Sequence, residues 1–247
     1  MDADRRQFAV QLDELKTELL AMGRLAEDRV RMAMQALVDR DEVSLADVIA
    51  GDDRINASQM EIDARCFTLL ALQHPVAVDL RVVVSAFKIN ADLERVGDLA
   101  VNIAEASQRY IQHPPVKPLI DLPRMGTLAL KMHREALDAF VQRDAALARA
   151  VLVQDDWLDG LKDQVFRELL TYMLGDTKTI EASVDLILIS RHLERIGDHA
   201  TNIAEDVIFI VEARDVRHSS ASAFAAPDQA ASGTIVERRK DPGAPPV

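Results

Sequence analysis

Glu94 and Asp98 stand one helical turn apart, and Glu194 and Asp198 repeat that spacing a hundred residues later. Like charges at i, i+4 repel by about 0.2–0.5 kcal/mol unless a cation lies between them. Two further pairs, Asp52 with Asn56 and Asp155 with Asp159, have the same spacing. Carboxylate and amide oxygens without thiolates suit hard or borderline cations such as Mg, Mn or Fe, and bridging carboxylates let one site hold more than one ion. An acidic stripe on a helix is ordinarily a solvated face. A repulsive spacing that recurs in both halves of the chain argues instead for cation binding.

Helical geometry must bring these pairs together. At ~100° per residue, Leu93, Val96, Ala100 and Ile103 form an apolar seam, and Glu94, Asp98, Asn102 and Glu105 fall on a stripe roughly opposite it. Leu193, Ile196, Ala200 and Ile203, with Glu194, Asp198, Asn202 and Glu205, repeat the arrangement. Residues equidistant from the turn of an antiparallel hairpin lie at one height. The turn at His74-Pro75 is midway between Asp52/Asn56 and Glu94/Asp98, and Gly175-Asp176 is midway between Asp155/Asp159 and Glu194/Asp198. Each hairpin should therefore present four oxygen-bearing side chains side by side.

His192 and His199 lie off the stripe and read as seam-edge or surface residues. Glu105 has Arg109 one turn on, whereas Glu205 has Phe209 there. Gly97 and Gly197 sit inside helical patterns, where glycine costs roughly 1 kcal/mol against alanine. Room for a metal cluster and a tight helix crossing both account for them. Arg95 and Arg195 could either neutralise the stripe or bind a partner's carboxylates.

The elements that carry these residues are duplicated. NADLERVGDLAVNIAE at 90–105 and SRHLERIGDHATNIAE at 190–205 share ten of sixteen residues at an offset of 100. Upstream, Arg40-Asp41 recurs as Arg143-Asp144 and Asp52-Asp53 as Asp155-Asp156, at an offset of 103. The change of three is expected between Asp53 and Leu69. Each unit divides into three segments of helical periodicity, 6–38, 43–73 and 76–111 in the first and 123–142, 145–174 and 177–213 in the second, separated by Gly, Pro and Asp breakers. The spacing predicts an all-α fold of two tandem three-helix bundles, six long antiparallel helices in all. The units run over 1–112 and 123–215, joined by a Pro-rich linker at 113–122. The Ser-, Ala-, Gly- and Pro-rich segment 216–247 is expected to be a disordered tail.

Composition narrows the function. Half the chain is hydrophobic (49%) but only 4% is aromatic, which favours helix packing over a β-sandwich. The net charge of -12 repels nucleic-acid phosphates and anionic lipid and attracts cations or basic protein surfaces. The single cysteine, Cys66, allows no intrachain disulfide, in keeping with a cytoplasmic location, and reads as buried packing. No apolar run is long enough to span a bilayer, so membrane association would come through partners. There is no Glu-x-x-His of the di-iron oxidases, no phosphate-binding G-x-x-x-x-G-K-[ST] loop and no G-x-S-x-G elbow.

LERVGDLAVNIAE and LERIGDHATNIAE, about a hundred residues apart, resemble the duplicated signature of the PhoU family, as does the stretch from Leu69 to Arg81. The resemblance covers roughly residues 8–213. It implies a cytoplasmic, non-enzymatic and commonly dimeric regulator. Such a protein restrains phosphate uptake and the phosphate-starvation response through contacts with the phosphate ABC transporter ATPase and a phosphate-sensing histidine kinase. The resemblance also implies surface clusters of divalent or trivalent metal ions (Fe, Mn, Mg or Zn) on four motifs, here Asp52 to Asn56, Glu94 to Asp98, Asp155 to Asp159 and Glu194 to Asp198. Asn56 departs from the acidic pattern, and fewer anionic ligands weaken cation binding at the first site. A multinuclear metalloprotein with a storage or redox role, and a scaffold whose acidic stripes stay hydrated, are the competing readings.

Overall fold

The computed structural model describes residues 2–216; the expectation of a disordered tail lies outside the described residues from 217 onward. Every regular element among the described residues is helical. The first unit holds α1 (Asp2–Asp39), α2 (Glu42–Ala50), α3 (Asp53–Gln73) and α4 (Val78–Tyr110). The second holds α5 (Asp121–Gln142), α6 (Ala145–Gly175) and α7 (Ile180–Glu212), with a single 3-10 turn at Thr177–Thr179 before α7.

The duplicated Arg-Asp dipeptides prove to be matched turns. Arg40 and Arg143 both take left-handed backbone, at φ 56° and 54°. Asp41 then caps α2 by accepting from the amides of Val43 and Ser44, and Asp144 caps α6 by accepting from those of Ala146 and Leu147. Each cap satisfies amides that the first turn of a helix leaves unbonded.

The second helix of the first unit is not continuous, contrary to its periodicity. It breaks at Gly51-Asp52, where the Arg29 guanidinium of α1 donates to the carbonyls of Val48 (2.6 Å) and Gly51. That guanidinium lies where a β-carbon on residue 51 would stand, so a side chain there would displace the arginine from these carbonyls. The six-helix plan holds, with one member split into α2 and α3. The repeat offset can be followed along this helix. Buried Ile55, Ile62 and Cys66 on α3 match buried Leu158, Val165 and Leu169 on α6 at 103, whereas buried Leu69 meets the exposed Tyr172 at that offset and the buried Leu169 at 100.

The two units join along α4 and α7, which run antiparallel. Lys88 Nζ meets Asp206 Oδ1 at 2.8 Å near one end of the contact, and Arg109 Nε meets Asp185 Oδ1 at 2.8 Å near the other. Asp185 and Asp206 are buried. The seam residues Leu93, Val96, Ala100 and Ile103, with their counterparts Leu193, Ile196, Ala200 and Ile203, are fully buried, as the 3-4-3 spacing predicts. Cys66 is buried as well, and burial pushes its thiol up to about 12. Among the described residues no helix is long and apolar enough to cross a membrane.

Candidate metal centre

In the second unit, Asp155 and Asp159 of α6 converge with Glu194 and Asp198 of α7. Burial first, then the neighbouring charges of Asp198, Asp159 and Glu194, push the Asp155 carboxyl up to about 6. Asp198 is raised too, by burial and then by Glu194 and Asp159. Mutual repulsion of this kind requires the acids to lie close together in a partly desolvated place. A cation already occupies part of it: Lys162 Nζ donates to Asp159 Oδ1 at 3.0 Å and to Glu194 Oε1 at 2.9 Å, one acid from each helix.

Gly197 makes the convergence possible. A β-carbon there would stand 2.5 Å from Leu158 Cδ2 and 3.3 Å from Asp155 Oδ1. Leu158 is fully buried and has nowhere to withdraw. The helix pays for its glycine in propensity, and the close approach sets Asp155 over the α7 backbone between Glu194 and Asp198.

The first unit repeats the scheme with one change. Asp52, at the break before α3, accepts from Asn56 Nδ2 at 2.8 Å through Oδ2. Its other oxygen, Oδ1, is buried without a hydrogen-bond partner, and it would lie 3.5 Å from a β-carbon on Gly97. Glu94 is raised by burial and then by Asp98, with a smaller push from Asp52. Here the cation is Arg95, 3.1 Å from Asp98 and 3.6 Å from Glu94.

Because α4 and α7 are antiparallel, the two sites lie close on either side of their seam, and the His199 imidazole opposes the upward shifts of both Glu94 and Asp198. Asp92 of α4 ties the units together there, bonding His199 Nδ1 at 2.8 Å and accepting from Asn202 Nδ2 at 3.1 Å. Asn202 is thus committed to Asp92 rather than to the acid pairs, and Asn102 is half-buried on the equivalent turn of α4. Asp92, Lys162 and the backbone break that frees Asp52 are the site features the sequence reading missed. Lys162 lies one turn beyond Leu158 on the helix of Asp155 and Asp159, a signal in plain view.

As the side chains stand, no three His, Cys, Asp or Glu among the described residues are placed to hold a metal ion. The oxygens face the Lys162 ammonium, the Arg95 guanidinium and the Asn56 amide instead. The donor sets still fit a hard cation: all oxygen with two helices contributing, a buried unbonded oxygen on Asp52 in the first unit, and in the second the Asp155 carboxyl pushed up by burial and then by its neighbours. Glu194, Asp198, Asp155 and Asp159 would hold it in the second unit; Asp52, Asn56, Glu94 and Asp98 would hold it in the first.

Two tandem helical bundles joined back to back, each displaying opposed acid pairs over an in-helix glycine, define a class of duplicated helical-bundle protein. A family model for the PhoU domain matches residues 19–107 and again 122–207. The chain belongs to the PhoU domain family. It is 41% identical over 86% of its length to the phosphate-specific transport system accessory protein PhoU homolog of Pseudomonas aeruginosa, covering 88% of that protein. It is 40% identical over 83% of its length to the homolog of Caulobacter vibrioides, covering 89% of it. The crystal structure of PhoU from Pseudomonas aeruginosa superposes with a TM-score of 0.80 at 39% identity, over 84% of this chain and all of that one. The phosphate transport system regulatory protein PhoU from Streptococcus pneumoniae superposes with a TM-score of 0.78 at 30% identity, over 85% and 99% of the two chains.

Proposed function

We propose that this chain is an accessory protein of a phosphate-specific transport system and lowers phosphate uptake and the phosphate-starvation response by protein contact. In this reading it works in the cytoplasm between the transporter's ATPase and a membrane histidine kinase, without catalysing a reaction. Its relatives carry the accessory role in their names, and its acidic surface suits basic partner surfaces. A hard cation bound to the acid pairs would neutralise their repulsion and stiffen each hairpin. The residues do the positioning: Gly97 and Gly197 admit the opposing helix, and Asp92 holds the two units in register through His199 and Asn202.

The observation that carries the metal-binding part of the reading is the convergence of acids from two helices, with Lys162 bridging Asp159 to Glu194 and Asp155 resting over Gly197, where burial and then four neighbouring acids push its carboxyl up to about 6. The test is a strain lacking the gene, complemented with wild type or with Glu194→Ala/Asp198→Ala. Wild type should restore low phosphate uptake and a silent phosphate-responsive promoter in phosphate-rich medium. The double variant should fail to do so, and the purified variant should lose bound metal. Full regulation by a metal-free variant would refute the role of the acid pairs. Turnover that follows the metal content would favour a metalloenzyme.

A further inference from the structure

Most of the surface of α4 is buried, and the helix shows one narrow exposed stripe. Its first turns are apolar there, at Leu80, Val84 and Phe87, and the stripe passes through Ala91 to Glu94 and Asp98 of the first acid site. α3 matches it from the other side of the hairpin. Phe67 meets Phe87 edge-on, with ring centroids 5.4 Å apart, and Met60 lies on the same side of α3 between Phe67 and Asn56. Met60 stands 72% exposed and Phe67 61%. The outer face of the α3/α4 hairpin is thus an apolar strip that starts at the tip and runs into a cluster of acids. A contiguous apolar strip bordered by charge marks a surface that something covers.

The acids at the end of this strip have no counterpart of the cation that serves the second unit. There, Lys162 bridges Asp159 of α6 to Glu194 of α7; at the offset of 103 the first unit has Gln59 in its place. Arg95 pairs with Glu94 and Asp98 of its own helix only, and Asp52 Oδ1 stays buried without a hydrogen-bond partner. The second unit also interrupts its own strip with charge: it has Asp163 where the first has Met60, and Arg191 where the first has Ala91. An apolar group followed by cations therefore fits the first unit and not the second.

The chain itself carries such a segment. Residues 217–247 include Ile235-Val236 followed by Glu237-Arg238-Arg239-Lys240, three consecutive cations in a chain of net charge -12. The segment begins at the tip of the same hairpin: Arg81 Nε donates to the Ile210 carbonyl at 3.1 Å, so the chain leaves α7 beside the first turns of α4. From Val216 to Ile235 is nineteen residues, a reach of up to ~60 Å. Phe87 is only nine residues along α4 from Val78, or ~14 Å. The spacings agree as well, because seven helical residues from Phe87 to Glu94 and three extended residues from Ile235 to Arg238 both cover ~10 Å.

We propose that residues 235–240 dock on the outer face of the α3/α4 hairpin, with Ile235 and Val236 over Phe67 and Phe87 and the Arg238-Arg239-Lys240 triplet at Asp52, Glu94 and Asp98. The contact is made by the chain with itself. It gives the first unit the cation that Lys162 gives the second, and it shields the strip from other partners. The tether holds the segment at an effective concentration on the order of 1 mM, so a contact that is weak between separate molecules still forms within one.

The test uses the full chain with Phe67→Trp and Trp157→Phe, which leaves one indole, placed in the strip. The expected emission lies to the blue of an indole in water and does not change on dilution. Ile235→Ser/Val236→Ser and, separately, Arg238→Glu/Arg239→Glu should shift it to the red, each lowering the ratio of docked to free segment at least about tenfold. Adding Glu94→Lys/Asp98→Lys to the Arg238→Glu/Arg239→Glu chain should restore that ratio to within about threefold. The segment substitutions lie outside the described helices, and far-UV circular dichroism checks that every chain keeps its helix content. Emission of a water-exposed indole in the parent chain overturns the proposal, as does blue emission that survives both segment variants. A blue shift that fades on dilution overturns it too, by placing a second copy on the strip. So does a charge-swapped chain that keeps its helices and does not recover.

Discussion

Asp155 Oδ1 lies 3.3 Å from the point where a β-carbon on Gly197 would stand, so an acid of α6 rests directly on the backbone of α7. The relationship joins fold to site: the glycine that allows the closest helix approach also delivers the carboxylate to Glu194 and Asp198.

Gly197→Ala should therefore destabilise the protein even though alanine favours helix by about 1 kcal/mol. The new methyl meets the fully buried Leu158 at 2.5 Å, and overpacking of this kind costs about 1–3 kcal/mol. A net loss of about 1 kcal/mol is expected in urea unfolding, along with weaker Mn binding. Gly160→Ala meets open space and should stabilise by about 0.5–1 kcal/mol. Equal effects at the two glycines would sink the argument.

The pH dependence of the metal-free protein follows from Asp155. Its folded carboxyl titrates near 6 against an ordinary 3.8, so between those values the folded chain holds a proton that the unfolded chain has released. Stability from this group is lost as pH rises through that window, and above 6 the ionised form opposes folding. Asp155→Asn should raise the melting temperature at pH 7, by on the order of 1 kcal/mol in stability after solvent screening, and leave it nearly unchanged at pH 3.5. Excess Mn should reverse the order at pH 7 by stabilising wild type alone.

Much of this was legible before the coordinates. The seam at Leu93, Val96, Ala100 and Ile103, the duplicated turns and the convergence of acid pairs all follow from spacing along a helix, which is local and periodic. What escaped was set by residues distant in sequence. The break at Gly51 depends on Arg29, in hydrogen-bond contact with it but 22 residues away in sequence. The diversion of Asn202 to Asp92 depends on a helix of the other unit. Angular counting on one helix gives a side chain's direction and is silent about what the neighbouring helix holds there.

Arg29→Ala should expose the split in the first unit. The guanidinium serves the carbonyls of Val48 and Gly51 at the end of α2, and removing a donor from partly buried acceptors costs about 1–3 kcal/mol. Amide hydrogen exchange should accelerate in α2 and at the start of α3, with α5–α7 unaffected. Protection lost evenly over both units would show that the contact acts on the whole fold rather than on this break.

Lys162 bridges Asp159 and Glu194, and its ammonium is held charged by those carboxylates, well above the ordinary lysine range. It is both a stand-in for a metal ion and its competitor. Lys162→Met keeps the aliphatic stem and removes the charge, leaving the acids of the second site without their counter-ion. The metal-free variant should therefore be less stable than wild type at pH 7, and the deficit should shrink as pH falls and the raised carboxyls of Asp155 and Asp198 take up protons. Its affinity for Mn, measured by calorimetry, should rise, because the ion no longer displaces an ammonium. If Mn binds the variant more weakly than wild type, Lys162 supports the site rather than guarding it, and the acids converge around the lysine for structural reasons alone.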